Sequence, residues 1–503
     1  MPGFIPIIGI KDTVDTQVTL TTLLSVGAFV ASLLSGLCAD WIGRRGLLFI
    51  GCIIYFPGTL LQMAAEGAAM LYVGRILAGF SVGQIHRALT FFDQSELAPT
   101  KLRGRLISFQ QFAIVVGIVS ASWISFGCLR IRTPSSWRLA IGIQFVVGGI
   151  YALGLGCIPR SPRYLIQKGR EEEALHALAQ IRGDGTLTHP EVRCEFTEIK
   201  QSILFAEKFL RPRYSQVFRK DYHGTRRRIL LGIAVQAFQQ LTGANSLLIY
   251  NPAILEGEGI DGRVTQILAH GIGSTVLLVG TLPAMIFIDR WGRRPIMIGG
   301  SIVMTICQIV MTIIAVMSGF HLEPPVLSNG TDNDVFDSAA YALNSVASSI
   351  IFVIFVYIFM FVYGSTWGPM GWIYPPELYS QAWRSKGLGL SSAANWLFTF
   401  GVLQLTPLAL ERIHWSTYVV YLVFNVFVLV VVYFCFPETL GKSLEEVDLL
   451  FAGPDLSSDP AVHHPKTAAE ALSKLETMEE HYNYDFAHTT RVEESLQPPR
   501  SSI

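Results

Sequence analysis

Charged residues are scarce in this chain: they make up only 15% of its 503 residues, against 51% hydrophobic, and the mean hydropathy is +0.43. A water-soluble domain carries nearer a quarter charged residues, so this chain has too little polar surface to face water all round. The formal net charge is zero. The balance therefore names no charged partner, and nothing else calls for nucleic acid. The seven cysteines, at 38, 52, 128, 157, 194, 307 and 435, show no CxxC spacing and sit mostly in apolar runs. Neither a disulfide framework nor a metal site is expected. No signal peptide with a small-residue cleavage site is visible, so the first apolar helix is expected to direct insertion. No nucleophile–base pair or metal constellation stands out, which argues against an enzyme and against any cofactor.

Long apolar runs are what the chain has instead. Eleven are long enough to cross a bilayer as helices: 18–39, 47–65, 68–92, 107–129 and 138–158, then 229–254, 266–288, 295–318, 346–374, 386–409 and 415–436. The fold class expected is an all-α, multi-pass membrane protein. Alternate loops carry 30 and 6 lysines and arginines respectively. Positive charge marks the cytoplasmic side, which puts the C-terminus inside. Asn329, in Asn329-Gly-Thr331, then falls in the longest outer loop as a glycosylation acceptor. The expected domains are an N-terminal bundle (1–158), a cytoplasmic linker of short amphipathic helices (159–228), a six-helix bundle (229–436) and a tail (437–503). Composition makes the tail disordered after about 453.

Three charged motifs occur twice in the same order. Asp40-Trp-Ile-Gly-Arg44-Arg45 recurs as Asp289-Arg-Trp-Gly-Arg293-Arg294, each directly after an apolar run. Glycine permits the sharp bend such a turn needs. Glu96 and Arg103 stand seven apart, as do Glu377 and Arg384, and Pro159-Arg-Ser-Pro-Arg163 corresponds in place to Pro437-Glu-Thr-Leu-Gly-Lys442. The repeat implies two homologous halves. Its charges suit a latch: Asp289, Arg293 and Arg294 with Glu377 and Arg384, and Asp40, Arg44 and Arg45 with Glu96 and Arg103. Exposed pairs contribute little singly, but a network biases a two-state equilibrium. The alternative is that they only fix topology.

On these residues the chain resembles the sugar porter family of the major facilitator superfamily. The resemblance runs over about residues 18–450. It also rests on Gly74-Arg75 with Gly79 and Gly83, Gln239-Gln240-Leu-Thr-Gly243-Ala-Asn245, Trp367-Gly-Pro-Met-Gly-Trp372, Asn395-Trp396 and Pro437-Glu-Thr-Leu-Gly-Lys-Ser-Leu-Glu-Glu446. The implied fold is two helical bundles that rock about a central site. The implied function is monosaccharide transport by alternating access, a hexose first, at the plasma membrane. Proton coupling stays open. The expected partners are a small sugar, the bilayer and, if coupled, protons.

Amides suit a neutral polyol because each side chain both donates and accepts. A membrane-buried amide is costly without a partner. The resemblance assigns Gln239, Gln240 and Asn245 to the sugar, and adds Gln111, Trp372 and Asn395. Trp372 offers a face for the sugar's C–H surface. The alternative for the amides is bonding between helices. Glycines and prolines around Trp367–Pro376 weaken that helix and suit a gate. Arg75, inside an apolar helix, demands a counter-charge. In proton-coupled members that is an acid on the first helix.

The chain departs from the pattern in places. Symmetry asks for two helices before Asp40 and finds one. That reads as a truncated gene model, a shortened isoform or an eleven-helix protein. Arg160 stands where the family has an acid, which weakens the first-half latch, and Leu277 stands near a family asparagine. The other functional readings are a sugar sensor of the same fold and a transport-inactive truncated product.

Overall fold

The computed structural model describes residues 14–92, 103–131, 136–157, 160–182, parts of 185–203, 224–257, 271–317, 332–380 and 383–442, with Val447, Leu450 and Phe451. Every regular element among them is helical. The first half comprises α1 (Val14–Ile42), α2 (Arg44–Met63), α3 (Ala68–Phe92), α4 (Arg103–Leu129) and α5 (Ser136–Cys157). Two short helices follow, α6 (Pro162–Gln167) and α7 (Glu171–Arg182). The second half comprises α8 (Thr225–Leu241), α9 (Ala244–Gly257), α10 (Gly273–Trp291), α11 (Arg293–Met317), α12 (Asp332–Ser365), α13 (Trp367–Leu378), α14 (Arg384–Ile413) and α15 (Ser416–Cys435).

Ten helical stretches among the described residues are long and apolar enough to cross a membrane, against the eleven expected. The difference lies at 229–254. Gly243, at φ +85°, ends one helix and starts the next, so that stretch is the pair α8 and α9. Neither alone reaches the ~20 residues a crossing needs. The expected span at 346–374 is likewise interrupted, at Thr366 between α12 and α13. Asn329, Glu96, residues 1–13, on which the expectation about a further first helix bears, and the tail after 453 lie outside the described residues.

The duplication is visible in the packing. In the first half α1 and α2 each pack on α3, and α2 packs on α5; in the second, α10 and α11 each pack on α12, and α11 packs on α15. Small residues bring the backbones close, as helices in lipid require. A Cβ on Gly79 of α3 would stand 2.9 Å from Leu24 Cα on α1, and one on Gly280 of α10 would stand 2.9 Å from Phe361 Cα on α12. The halves meet along α1–α14 and α4–α10. Thr22 donates to Gln404 at 3.0 Å across the first seam, and Trp123 Nε1 donates to Thr275 at 3.4 Å across the second. The linker helices have a small apolar core of their own, with Leu165, Ala174 and Leu178 buried against Val192 and Ile199.

Candidate substrate site and charge network

The α8–α9 break sits where the amides concentrate. Gln239 and Gln240 close α8, Asn245 opens α9, and Asn245 Nδ2 donates to Gln240 Oε1 at 2.5 Å across the break. The side chain of Gln239 reaches the other way. Its Nε2 donates to the carbonyls of Trp367 (3.0 Å) and Gly368 (2.9 Å) at the start of α13, and its Oε1 accepts from Asn395 of α14 at 2.9 Å. Gln111 of α4 meets the same turn, since a Cβ on Gly368 would stand 3.2 Å from its Nε2. Three of the six expected binding residues, Gln111, Gln239 and Asn395, are thereby joined in one chain of contacts around Gly368, and Gln240 with Asn245 lies beside it. Trp372 is buried on α13, one turn beyond Gly368.

Sequence reasoning missed Gln236. Its Nε2 donates to the Gly371 carbonyl at 2.5 Å, and its Oε1 accepts from Asn395 Nδ2 at 2.7 Å. An amide three and four residues before Gln239 and Gln240, in an otherwise apolar helix, was the available signal. Bonding between helices, the alternative reading of these amides, is thus present for Gln236, Gln239 and Asn395. Trp367 takes a packing place: it is fully buried, and its Nε1 donates to Ser301 of α11 at 2.9 Å. Leu277 is buried in the apolar core of the second half.

The second-half charge network is assembled. Arg293 grips both oxygens of Glu377, donating from Nη2 to Oε1 (2.9 Å) and from Nε to Oε2 (3.2 Å), and Nη2 also reaches Asp289 at 3.3 Å. Two parallel bonds from a guanidinium to a carboxylate fix geometry as well as charge. Thr439 adds a hydroxyl bond to Glu377 at 2.5 Å. Arg294 turns outward and donates to the Tyr433 carbonyl. Arg384 is buried at the first position of α14. Glu438 completes the network: its two carboxylate oxygens accept the backbone N–H groups of Arg293 (2.9 Å) and Arg294 (3.0 Å). Those are orphan donors at a helix N-terminus, where negative charge is stabilising. Tyr379 stands just past α13. Burial pushes its phenol well above the usual range, and its hydrogen bond with Ser391 only partly offsets this.

In the first half the side chains of Asp40, Arg44 and Arg103 lie outside the described residues. Arg45 Nη2 donates to the Gly156 carbonyl at 3.2 Å. Arg160, the residue in place of Glu438, points to Glu173 of α7 at 3.6 Å. Arg75 is held in α3, and its Nε has no partner among the described residues.

Comparisons with known proteins agree with this architecture. A family model described as "Sugar (and other) transporter" matches residues 10–451. The chain is 33% identical over 436 residues to a high-affinity glucose transporter of Kluyveromyces lactis, covering 86% of this chain and 77% of that protein. It is 32% identical, with the same coverage, to a high-affinity glucose transporter of Candida albicans. A high glucose sensor of Saccharomyces cerevisiae is also 32% identical, with 54% of its length covered. Among solved structures, a proton:xylose symporter bound to 6-bromo-6-deoxy-D-glucose superposes with a TM-score of 0.71 at 22% identity, covering 87% of this chain and 89% of its own. The chain is a multi-pass membrane protein of the sugar porter family in the major facilitator superfamily, a sugar transporter and not an enzyme.

Proposed function

We propose that this transporter carries a hexose, glucose first, across the plasma membrane by alternating access, with its charged turns and C-terminus in the cytoplasm. The carrying observation is the amide cluster of Gln239, Gln240, Asn245 and Asn395 around the α8–α9 break, facing α13. The glucose transporters among its relatives support the choice of hexose, and the excess of cationic loops on one side supports the orientation.

The hydrogen-bond inventory of the cluster supplies a mechanism. An amide has two N–H donors, and both of those on Gln239 are engaged by the Trp367 and Gly368 carbonyls. A sugar oxygen that accepts from Gln239 must displace one of them and loosen the first turn of α13. At Gln239 one hydrogen bond replaces another, so the exchange costs little, and the displaced carbonyl gives up its bond to Gln239. Sugar occupancy and movement of α13 are thereby linked. At the far end of α13, the Arg293–Glu377 grip holds the helix in one of its two positions.

Uptake of labelled glucose and xylose in cells stripped of their own hexose carriers tests the reading. Saturable glucose uptake, with xylose a weaker competitor, supports it. Collapse of the pH gradient in the same cells decides coupling. Loss of accumulation assigns proton coupling, and unchanged entry assigns facilitated diffusion. A sensing role is the second reading, favoured by the likeness to the glucose sensor. Sugar binding with no uptake supports it.

A further inference from the structure

The last described membrane helix, α15, places two polar side chains against the α8–α9 break, Asn425 buried and Tyr421 half-buried. Asn425, 1% exposed, donates from Nδ2 to the Thr242 carbonyl at 3.1 Å and to the Tyr421 carbonyl at 2.8 Å. The Thr242 carbonyl sits at the end of α8, where the last carbonyls have no helical partner. One turn earlier on α15, the Tyr421 ring lies flat against Gly243: a Cβ there would stand 2.7 Å from its Cδ1. The Tyr421 hydroxyl closes a triangle with Ser246 (2.8 Å) and Thr406 (2.5 Å), and Ser246 and Thr406 are 2.8 Å apart. The triangle ties α15 and α14 to the first turn of α9. Ser246 is the residue next to Asn245, whose amide bridges back to Gln240.

We propose that Tyr421 and Asn425 are positioning residues: α15 clamps the α8–α9 break and thereby sets where Asn245 and Gln240 stand for the sugar. The proposal rests on the sugar-site reading above. Asn425 holds the end of α8, Tyr421 fills the space that Gly243 leaves, and the hydroxyl triangle fixes the start of α9. With no water in the bilayer core to replace a lost partner, the break has few other ways to keep its register. Releasing the triangle lets α9 turn relative to α8, and the first geometry to change is the Asn245–Gln240 pair. A structural role alone would lower the amount of folded protein and leave the affinity of the survivors intact.

Glucose uptake by the full-length chain, with rates normalised to protein at the membrane, separates these roles. Tyr421→Phe and Ser246→Ala are each expected to raise KM about three- to tenfold, the size of one net hydrogen bond, with kcat within about twofold. The double variant is expected to match the worse single, because both remove the same triangle. If Tyr421→Phe fails to reach the membrane, Ser246→Ala carries the same expectation. An unchanged KM in the variants that reach the membrane, or KM effects that multiply in the double, overturns the clamp. Gln240→Ala separates the two readings: if it weakens uptake while the triangle variants do not, the sugar site stands and the clamp falls. If the parent chain shows no saturable uptake and no sugar binding, both fall.

Discussion

Gly43 and Gly292 adopt nearly the same backbone, φ +80° and +86°, in the two copies of the charged turn. Each is sealed by a residue from the motif that follows its own half. A Cβ on Gly43 would stand 2.8 Å from the Tyr164 ring, and one on Gly292 would stand 2.8 Å from Glu438 Oε2. Gly292→Ala therefore strains the backbone by about 1–3 kcal/mol, since only glycine readily takes positive φ with extended ψ, and also pushes Glu438 from the α11 N-terminus. A clear drop in melting temperature of the purified protein is expected. Gly299→Ala, where a Cβ meets nothing within 4 Å, should leave it unchanged or raise it. At this scale much was legible. The twin turns, the amide pair Gln239–Gln240 and Asn245 announce themselves because polar groups in apolar runs are expensive. Gln236 was legible only through its spacing from Gln239 and Gln240; Tyr421 and Asn425 were not, since their partners lie on helices distant in sequence.

Among the elements, α13 is held from other helices at its start, middle and end. Its first turn is held by Gln239 and its middle by Gln236. Its last turn is held by the grip of Arg293 on Glu377. Removing one partner of such a largely buried pair costs about 3–5 kcal/mol, because the other charge is left uncompensated. Arg293→Met and Glu377→Gln should each destabilise the protein strongly in detergent melts, and the double variant should cost less than the two singles added. Additive losses would mean the pair does not act as a unit. The sequence motifs anticipated this pair. They did not anticipate that Glu438 caps α11 through backbone N–H groups, a contact no side-chain charge pattern announces. The halves are unequal for the same reason: Arg160 cannot cap a helix N-terminus and turns instead to α7. The break at Thr242–Gly243 was also hidden, because hydropathy runs straight through it, whereas the glycines and prolines from Trp367 to Pro376 announced a weakened helix though not the break at Thr366 itself. Apolar length sets where a helix crosses but says little about where its hydrogen bonding is interrupted.

For the whole molecule, the internal duplication predicts the packing better than any single helix does, and the same pairings recur in both halves. The hydrogen bonds Thr22–Gln404 and Trp123–Thr275 join the halves at the end away from the charged turns: Thr22 and Gln404 each lie twenty residues along their helices from Ile42 and Arg384. At 1.5 Å per residue that is about 30 Å, the thickness of the hydrocarbon core. If the halves rock, this contact must open. A cysteine pair, T22C with Q404C, should cross-link under oxidation and stop uptake, and a reductant should restore it. Uptake that persists in the cross-linked protein would rule out rocking along this seam.

The central claim is that a sugar is held by the amides at the α8–α9 break. The most direct measurement is glucose uptake by the parent chain and by Gln240→Ala, in cells without other hexose carriers and at matched amounts of protein at the membrane. Saturable uptake by the parent is expected, with a KM raised about tenfold or more by Gln240→Ala, the loss of a hydrogen-bonded partner in a dry site. An unchanged KM in Gln240→Ala, or a parent that neither binds nor moves glucose, would contradict it.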